Sequence, residues 1–216
     1  EGTALTTRRV VERELPEPVI RRLAEALIAI NRWAHTAHID EETIGSPLPQ
    51  PAVEELRDKM LPDPWSLQDW LPAMIRKAEQ LEILDEPQSE WLSSFAASWK
   101  TPTFGHLDAL PRNILLLENG ELAFVDWESA GHSPPGYDLG LLCACLAPKT
   151  RASLKATFHA LAPEALEQTT AGYLIATTRE WFIRHHLLRT SHRHRLARHT
   201  DDVLAEAIED SHEFCT

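Results

Sequence analysis

Residues 104 to 113 read Phe104-Gly105-His106-Leu107-Asp108-Ala109-Leu110-Pro111-Arg112-Asn113, and two short apolar runs follow, Ile114-Leu115-Leu116-Leu117 and Leu122-Ala123-Phe124-Val125, ending in Asp126-Trp127-Glu128. The runs flank Glu118-Asn119-Gly120-Glu121. Asn-Gly favours positive φ at both central residues of a tight turn, so the spacing predicts a β-hairpin. Asp108 and Asn113 lie five residues apart in a proline-containing loop before the first strand, and Asp126 comes thirteen residues after Asn113. Pairing about the turn brings both loops to one end of the hairpin. Two carboxylates and an amide carbonyl converging there form a hard, oxygen-only set, which suits Mg²⁺ carrying substrate phosphates rather than zinc.

At these residues the chain resembles the aminoglycoside phosphotransferase and choline kinase family, relatives of the protein kinases. His106-x-Asp108-x-x-x-x-Asn113 is similar to the family's catalytic loop, His-Gly-Asp-x-x-x-x-Asn. Val125-Asp126-Trp127-Glu128 is similar to its metal loop, Ile-Asp-Trp-Glu or Ile-Asp-Phe-Glu. Pro135-Gly136-Tyr137-Asp138-Leu139-Gly140 is similar to its Pro-x-Tyr-Asp-Leu-Ala segment, which opens the next helix. Three motifs in the family's order are far more specific than any one of them.

The resemblance implies a mainly α (α+β) fold, the helical C-terminal lobe of a protein-kinase-like phosphotransferase with a short β-hairpin carrying both loops. It implies that Asp108 accepts or orients an acceptor hydroxyl, while Asn113 and Asp126 hold Mg²⁺ on the phosphates of ATP. His106, Glu128 and Asp138 have supporting parts: His106 as a buried brace, Glu128 beside the metal or on backbone, Asp138 as a cap on the helix it opens. Positioning and charge neutralisation dominate such a reaction, and a base adds about 10²–10⁴ in rate.

Three positions depart from the pattern: Leu107 stands where the family usually has Gly, Leu110 where it commonly has a second His, and Arg112 where it often has Gly. Glycine permits backbone angles that leucine resists, so Leu107 is expected to strain or re-route the loop. Kinases of this type also carry a glycine-rich loop and a strand lysine in a small N-terminal lobe. The chain has 8 Gly in 216 residues and no Gly-rich cluster before Asp108, and its first hundred residues read as helices rather than strands. Glu1-Gly2-Thr3 resembles the end of the family's inter-lobe hinge. The expectation is a single domain over 1–216, the large lobe without its N-terminal ATP-binding partner, and weak ATP binding by the chain alone.

Elsewhere the periodicity predicts a helix over Pro18 to Ala34, with Val19, Leu23, Leu27, Ile30 and Trp33 on one face. A proline-rich loop covers 40–51 and a short helix 52–60; Ser66-x-x-Asp69 suits a capping box before a helix holding Leu71, Met74, Ile75, Ala78, Leu81 and Leu84. Trp91, Phe95 and Trp99 mark another helix. After the metal loop, helices are expected over Asp138–Leu146, Arg151–Ala160, Glu164 to about Arg189, and Asp201 to about His212.

Composition bounds the rest. With 43% hydrophobic and 25% charged residues, the chain can bury a core without disulfides. No run nears the ~18 apolar residues of a membrane span, and no secretory leader is evident, which fits a cytoplasmic protein without a membrane partner. The three cysteines fit small core residues better than a disulfide or metal framework. A net charge of −12 is compatible with a cationic acceptor and selects none. Residues 181–199 invert that charge with five arginines, five histidines and no acid, and read as a solvated helix end and basic loop rather than a nucleic-acid surface. The acceptor is thus a small hydroxyl compound of open identity. A non-catalytic binding or regulatory module on the same fold is the competing reading.

Overall fold

Short strands and long helices divide the work in this computed structural model, which describes residues 2–5, 14–36, 67–98, 103–182 and 193–215. In chain order these form β1 (Gly2–Ala4), α1 (Glu17–Thr36), α2 (Leu67–Gln80), α3 (Glu86–Ser98), β2 (Thr103–Gly105), β3 (Ile114–Leu117), β4 (Leu122–Phe124), β5 (Gly131–Ser133), α4 (Tyr137–Cys143), α5 (Pro148–Leu161), α6 (Leu166–Phe182) and α7 (Arg193–Ser211). The architecture is mostly helical with small antiparallel ladders. The proline-rich loop, the 52–60 helix and the Ser66 cap fall outside the described residues.

The hairpin forms with Ile114 opposite Phe124, Leu115 opposite Ala123 and Leu116 opposite Leu122. Its turn differs from the expected two-residue form. Leu117 N–H donates to Glu121 O at 2.8 Å and Gly120 N–H to Leu117 O at 2.9 Å, leaving a three-residue loop in which Gly120 has positive φ (79°) and Asn119 does not. The register of the apolar runs sets this loop length, and a left-handed glycine in third place matches the twist of the strands.

Two pairings were not readable from the sequence. β1 adds to the outer edge of β3, Gly2 opposite Leu117 and Ala4 opposite Leu115, so the first hundred residues do contain a strand. β2 pairs with β5, Thr103 opposite Ser133 and Gly105 opposite Gly131. Each strand is three residues long, too short for an alternating pattern, and each is defined by its partner.

α1 buries Val19, Ile20, Leu23, Ala24, Leu27 and Ile28, the three- and four-residue steps of one helix face. Full burial of Leu23 and Leu27 stabilises the fold by roughly 1.5–3 kcal/mol each. From this helix Arg22 reaches the carbonyl of Gly120 in the hairpin turn, and Asn31 donates to Phe104 O at 2.9 Å. One rigid rod therefore ties both the hairpin tip and the strand that leads into the loop before β3. α4 is buried along its whole length and packs on α6, which packs on α7; α5 lies on α1.

Some helix limits moved. α5 starts at Pro148, whose missing N–H costs nothing in a first turn. α6 runs over Leu166–Phe182, and the remainder of the expected span, to Arg189, lies outside the described residues. α7 begins at Arg193 rather than Asp201, because no Gly or Pro interrupts residues 193–211. Cys143 and Cys145 are buried core residues, and burial pushes the Cys143 thiol up to about 12. Among the described residues no helix is long and apolar enough to cross a membrane.

Candidate active site

The loop between β2 and β3 is shaped by Asp138 from the start of α4. This carboxylate does not cap its own helix. Oδ2 accepts from His106 N–H at 2.6 Å and Oδ1 from Leu107 N–H at 2.8 Å. The approach is possible because Gly105 has no side chain: a Cβ there would lie 2.3 Å from Ser133 Oγ and 3.1 Å from Asp138 Oδ2. Asp138 is 2% exposed; burial pushes its carboxyl up to about 6, against the two amide bonds, which favour the anion. The sequence offered capping because Asp is common in first turns; that the side chain crosses to another loop is a tertiary fact.

Leu107 takes the conformation that glycine would supply, with φ 60°. The bend costs leucine roughly 1–2 kcal/mol. Its amide bond to Asp138 and its packing against the core hold it there. Leu110 likewise packs against the core, so no polar group stands at that position.

His106 is fully buried and joins the two loops. Its Nε2–H donates to Val125 O at 2.9 Å, which requires the proton on Nε2, and Nδ1 accepts from Asp108 N–H at 3.3 Å. Trp127 covers the ring, with centroids 4.5 Å apart, and its Nε1–H donates to Phe124 O at 2.8 Å. Trp127 lies within the quoted motif, yet its packing on His106 was not foreseen. Asn31, one position beyond Ile30 of the apolar stripe, gave no signal.

Asn113 ends the loop in a short 3-10 turn, Pro111–Asn113. Its Nδ2 donates to both Asp108 O at 2.9 Å and Asp108 Oδ2 at 2.7 Å, and both are acceptors only. That fixes the amide orientation and spends both its N–H bonds, leaving Oδ1 as the atom to offer a cation. The backbone continues the link: Val125 N–H donates to Asn113 O at 2.9 Å. Asp126, the next residue, is exposed, with φ 66° and ψ 58°. Glu128 is also exposed, in the turn Trp127–Ser129 that follows. Asp108, Asn113 and Asp126 thus belong to loops stitched together at one end of the hairpin. Among the described residues no three His, Cys, Asp or Glu side chains gather to hold a metal.

A model of the phosphotransferase enzyme family APH matches residues 1–181. The chain belongs to this family. Among solved structures, an ethanolamine kinase of Plasmodium vivax is similar over 96% of this chain and 62% of its own, with a TM-score of 0.51 and 11% identity, a likeness of fold. The chain thus spans about three-fifths of that kinase. Also similar are an aminoglycoside 2'-phosphotransferase-IIIa in its GDP complex (TM-score 0.48, 15% identity, 98% of this chain and 69% of that one) and the choline kinase LicA of Streptococcus pneumoniae (0.40, 14%, 88% and 64%). No curated protein sequence matches the chain.

Proposed function

We propose that this chain carries the catalytic loops of an ATP-dependent phosphotransferase acting on a hydroxyl of a small molecule, with Asp108 as the base and Asn113 and Asp126 as the Mg²⁺ ligands. The observation that carries the reading is the stitch between the loops. Asn113 O bonds Val125 N–H, His106 bonds Val125 O, and both Asn113 N–H bonds are committed to Asp108. The donor set fits the metal. An amide oxygen and an exposed carboxylate are hard ligands, and two protein ligands leave coordination positions for water and phosphate.

Asn113 Oδ1 and the Asp126 carboxylate would hold the metal, which when bound would supply charge neutralisation for the transferred group. This chain's own residues do the positioning. His106 fixes the spacing of the loops, Asp138 holds the bend at Leu107, and Asn113 orients Asp108. The acceptor is a small alcohol. The family and the packing of these loops support that reading over a non-catalytic module, which gains no observation of its own.

The test is phosphate transfer from ATP to a panel of small alcohols in the whole protein. Asp108→Asn should lower turnover by about 10²–10⁴, and Asp126→Ala should abolish Mg²⁺-dependent transfer. Both variants should keep the wild-type circular dichroism spectrum. Wild-type turnover by both removes the assignment.

A further inference from the structure

Arg112 has no part in the roles above, yet it touches the carboxylate at their centre. Its Nη2 donates to Asp108 Oδ2 at 2.8 Å, and Asn113 Nδ2 donates to the same oxygen at 2.7 Å. Among the described residues neither donor reaches Asp108 Oδ1. We propose that Arg112 is a positioning residue for the proposed phosphotransfer: with Asn113 it occupies Oδ2 and so presents Oδ1 to the acceptor hydroxyl. This rests on the reading of Asp108 as the base.

The local chain explains why an arginine here can do this. Pro111 sets φ at the start of the 3-10 turn Pro111–Asn113, and Asn113 N–H closes it on Leu110 O at 2.8 Å. The turn folds the loop back, so the residue four positions after Asp108 overlies its carboxylate. Stability does not explain the contact. The Arg112 side chain is 60% exposed and that of Asp108 25% exposed, and exposed pairs of this kind add little to stability. Orientation does. A carboxylate held on one side by a single donor group is free to turn about its last torsion, which is broad and two-fold. Two donors on one oxygen remove that freedom.

The chemical step then has a defined proton route. As the acceptor oxygen bonds the γ-phosphorus of ATP and the bond to the ADP oxygen breaks, the hydroxyl proton goes to Oδ1. A lysine would supply the charge without the planar fork.

Steady-state kinetics of Arg112→Ala, Arg112→Lys and Asp108→Asn in the whole protein, with ATP, Mg²⁺ and a small alcohol, test this. Arg112→Ala should lose roughly tenfold to a hundredfold in kcat, with KM for ATP little changed. Added guanidinium should restore part of the loss, and Arg112→Lys should fall between the two. In ¹⁵N spectra of the chain itself, hindered rotation should split the Arg112 Nη signals and Asp108→Asn should merge them. Wild-type kcat in Arg112→Ala beside an inactive Asp108→Asn overturns the role of Arg112 alone, as does a loss confined to KM for ATP or a freely rotating guanidinium. Wild-type turnover by Asp108→Asn instead removes the reading of the site, and this proposal with it.

Discussion

Between α5 and α7, Arg151 is 1% exposed and meets Glu206 through Nε at 2.8 Å and through Nη2; beside the hairpin, Arg112 is 60% exposed and meets Asp108 at 2.8 Å. Both are arginine–carboxylate pairs, and solvent makes them opposites. The buried guanidinium has lost its hydration, so its partner is needed to offset that loss. The exposed one keeps its hydration on most sides, so its contact with Asp108 sets geometry and adds little energy. One turn along α5, Lys155 meets Asp210 and lies 5.0 Å from the centre of the Tyr173 ring, so the helical contact is an ion-paired seam. The site end stores its specificity in bent backbone and shared hydrogen bonds.

The comparison breaks most visibly at Asp108. Asp108→Asn should lower transfer by about 10²–10⁴ while shifting the urea midpoint little, since its ion pair is worth about 0–1 kcal/mol. A large loss of stability would make the loop a structural element instead.

Glu206→Ala should do the reverse. It strands a buried charge and should cost about 3–5 kcal/mol in chemical denaturation. Arg151→Met removes the charge itself and leaves Glu206, 42% exposed, able to turn to water, so its cost should be well below that of Glu206→Ala. Equal costs would mean that packing, not charge, holds α5 to α7.

Asp138 lies between these extremes: a buried carboxyl that shapes the site. Its folded value of about 6 exceeds the ordinary 3.8, so the folded chain binds the proton more tightly. The neutral form therefore favours folding below about pH 4, and this contribution is lost as pH rises through about 6, amounting to about 3 kcal/mol in all. Asp138→Asn should remove that slope. Denaturation of both proteins at pH 4, 5, 6 and 7 reads it, and parallel curves would mean that the two amide bonds outweigh burial.

The smallest effect is expected at Leu107. Leu107→Gly relieves about 1–2 kcal/mol of left-handed strain but loses side-chain packing and adds about 0.5–1 kcal/mol of chain entropy. The net change in the urea midpoint should stay within about 1 kcal/mol. A gain well beyond that would mean that the side chain packs for little.

Much of this is legible in the sequence itself. The apolar runs around Asn119-Gly120 specified a hairpin, the stripe from Val19 to Leu27 specified a helix, and the ordered polar motifs specified which loops to watch. What escaped reading were three-residue strands such as β1 and β5, which have too few residues to show a period, and the partners that cross the chain. Asp138 looked like a cap, Arg112 like a mere departure from glycine, and Asn31 like a neighbour of an apolar stripe.

Local rules therefore determined the elements and their order, because turn chemistry, helical periodicity and chain stiffness act within a few residues. Only the folded chain decided that Asp138 would hold the bend at Leu107, that His106 would lock Asp108 to Val125, and that two donors would share one oxygen of Asp108. Those contacts join residues up to 32 positions apart. Their energies depend on burial and direction, which exist only once the helices have packed.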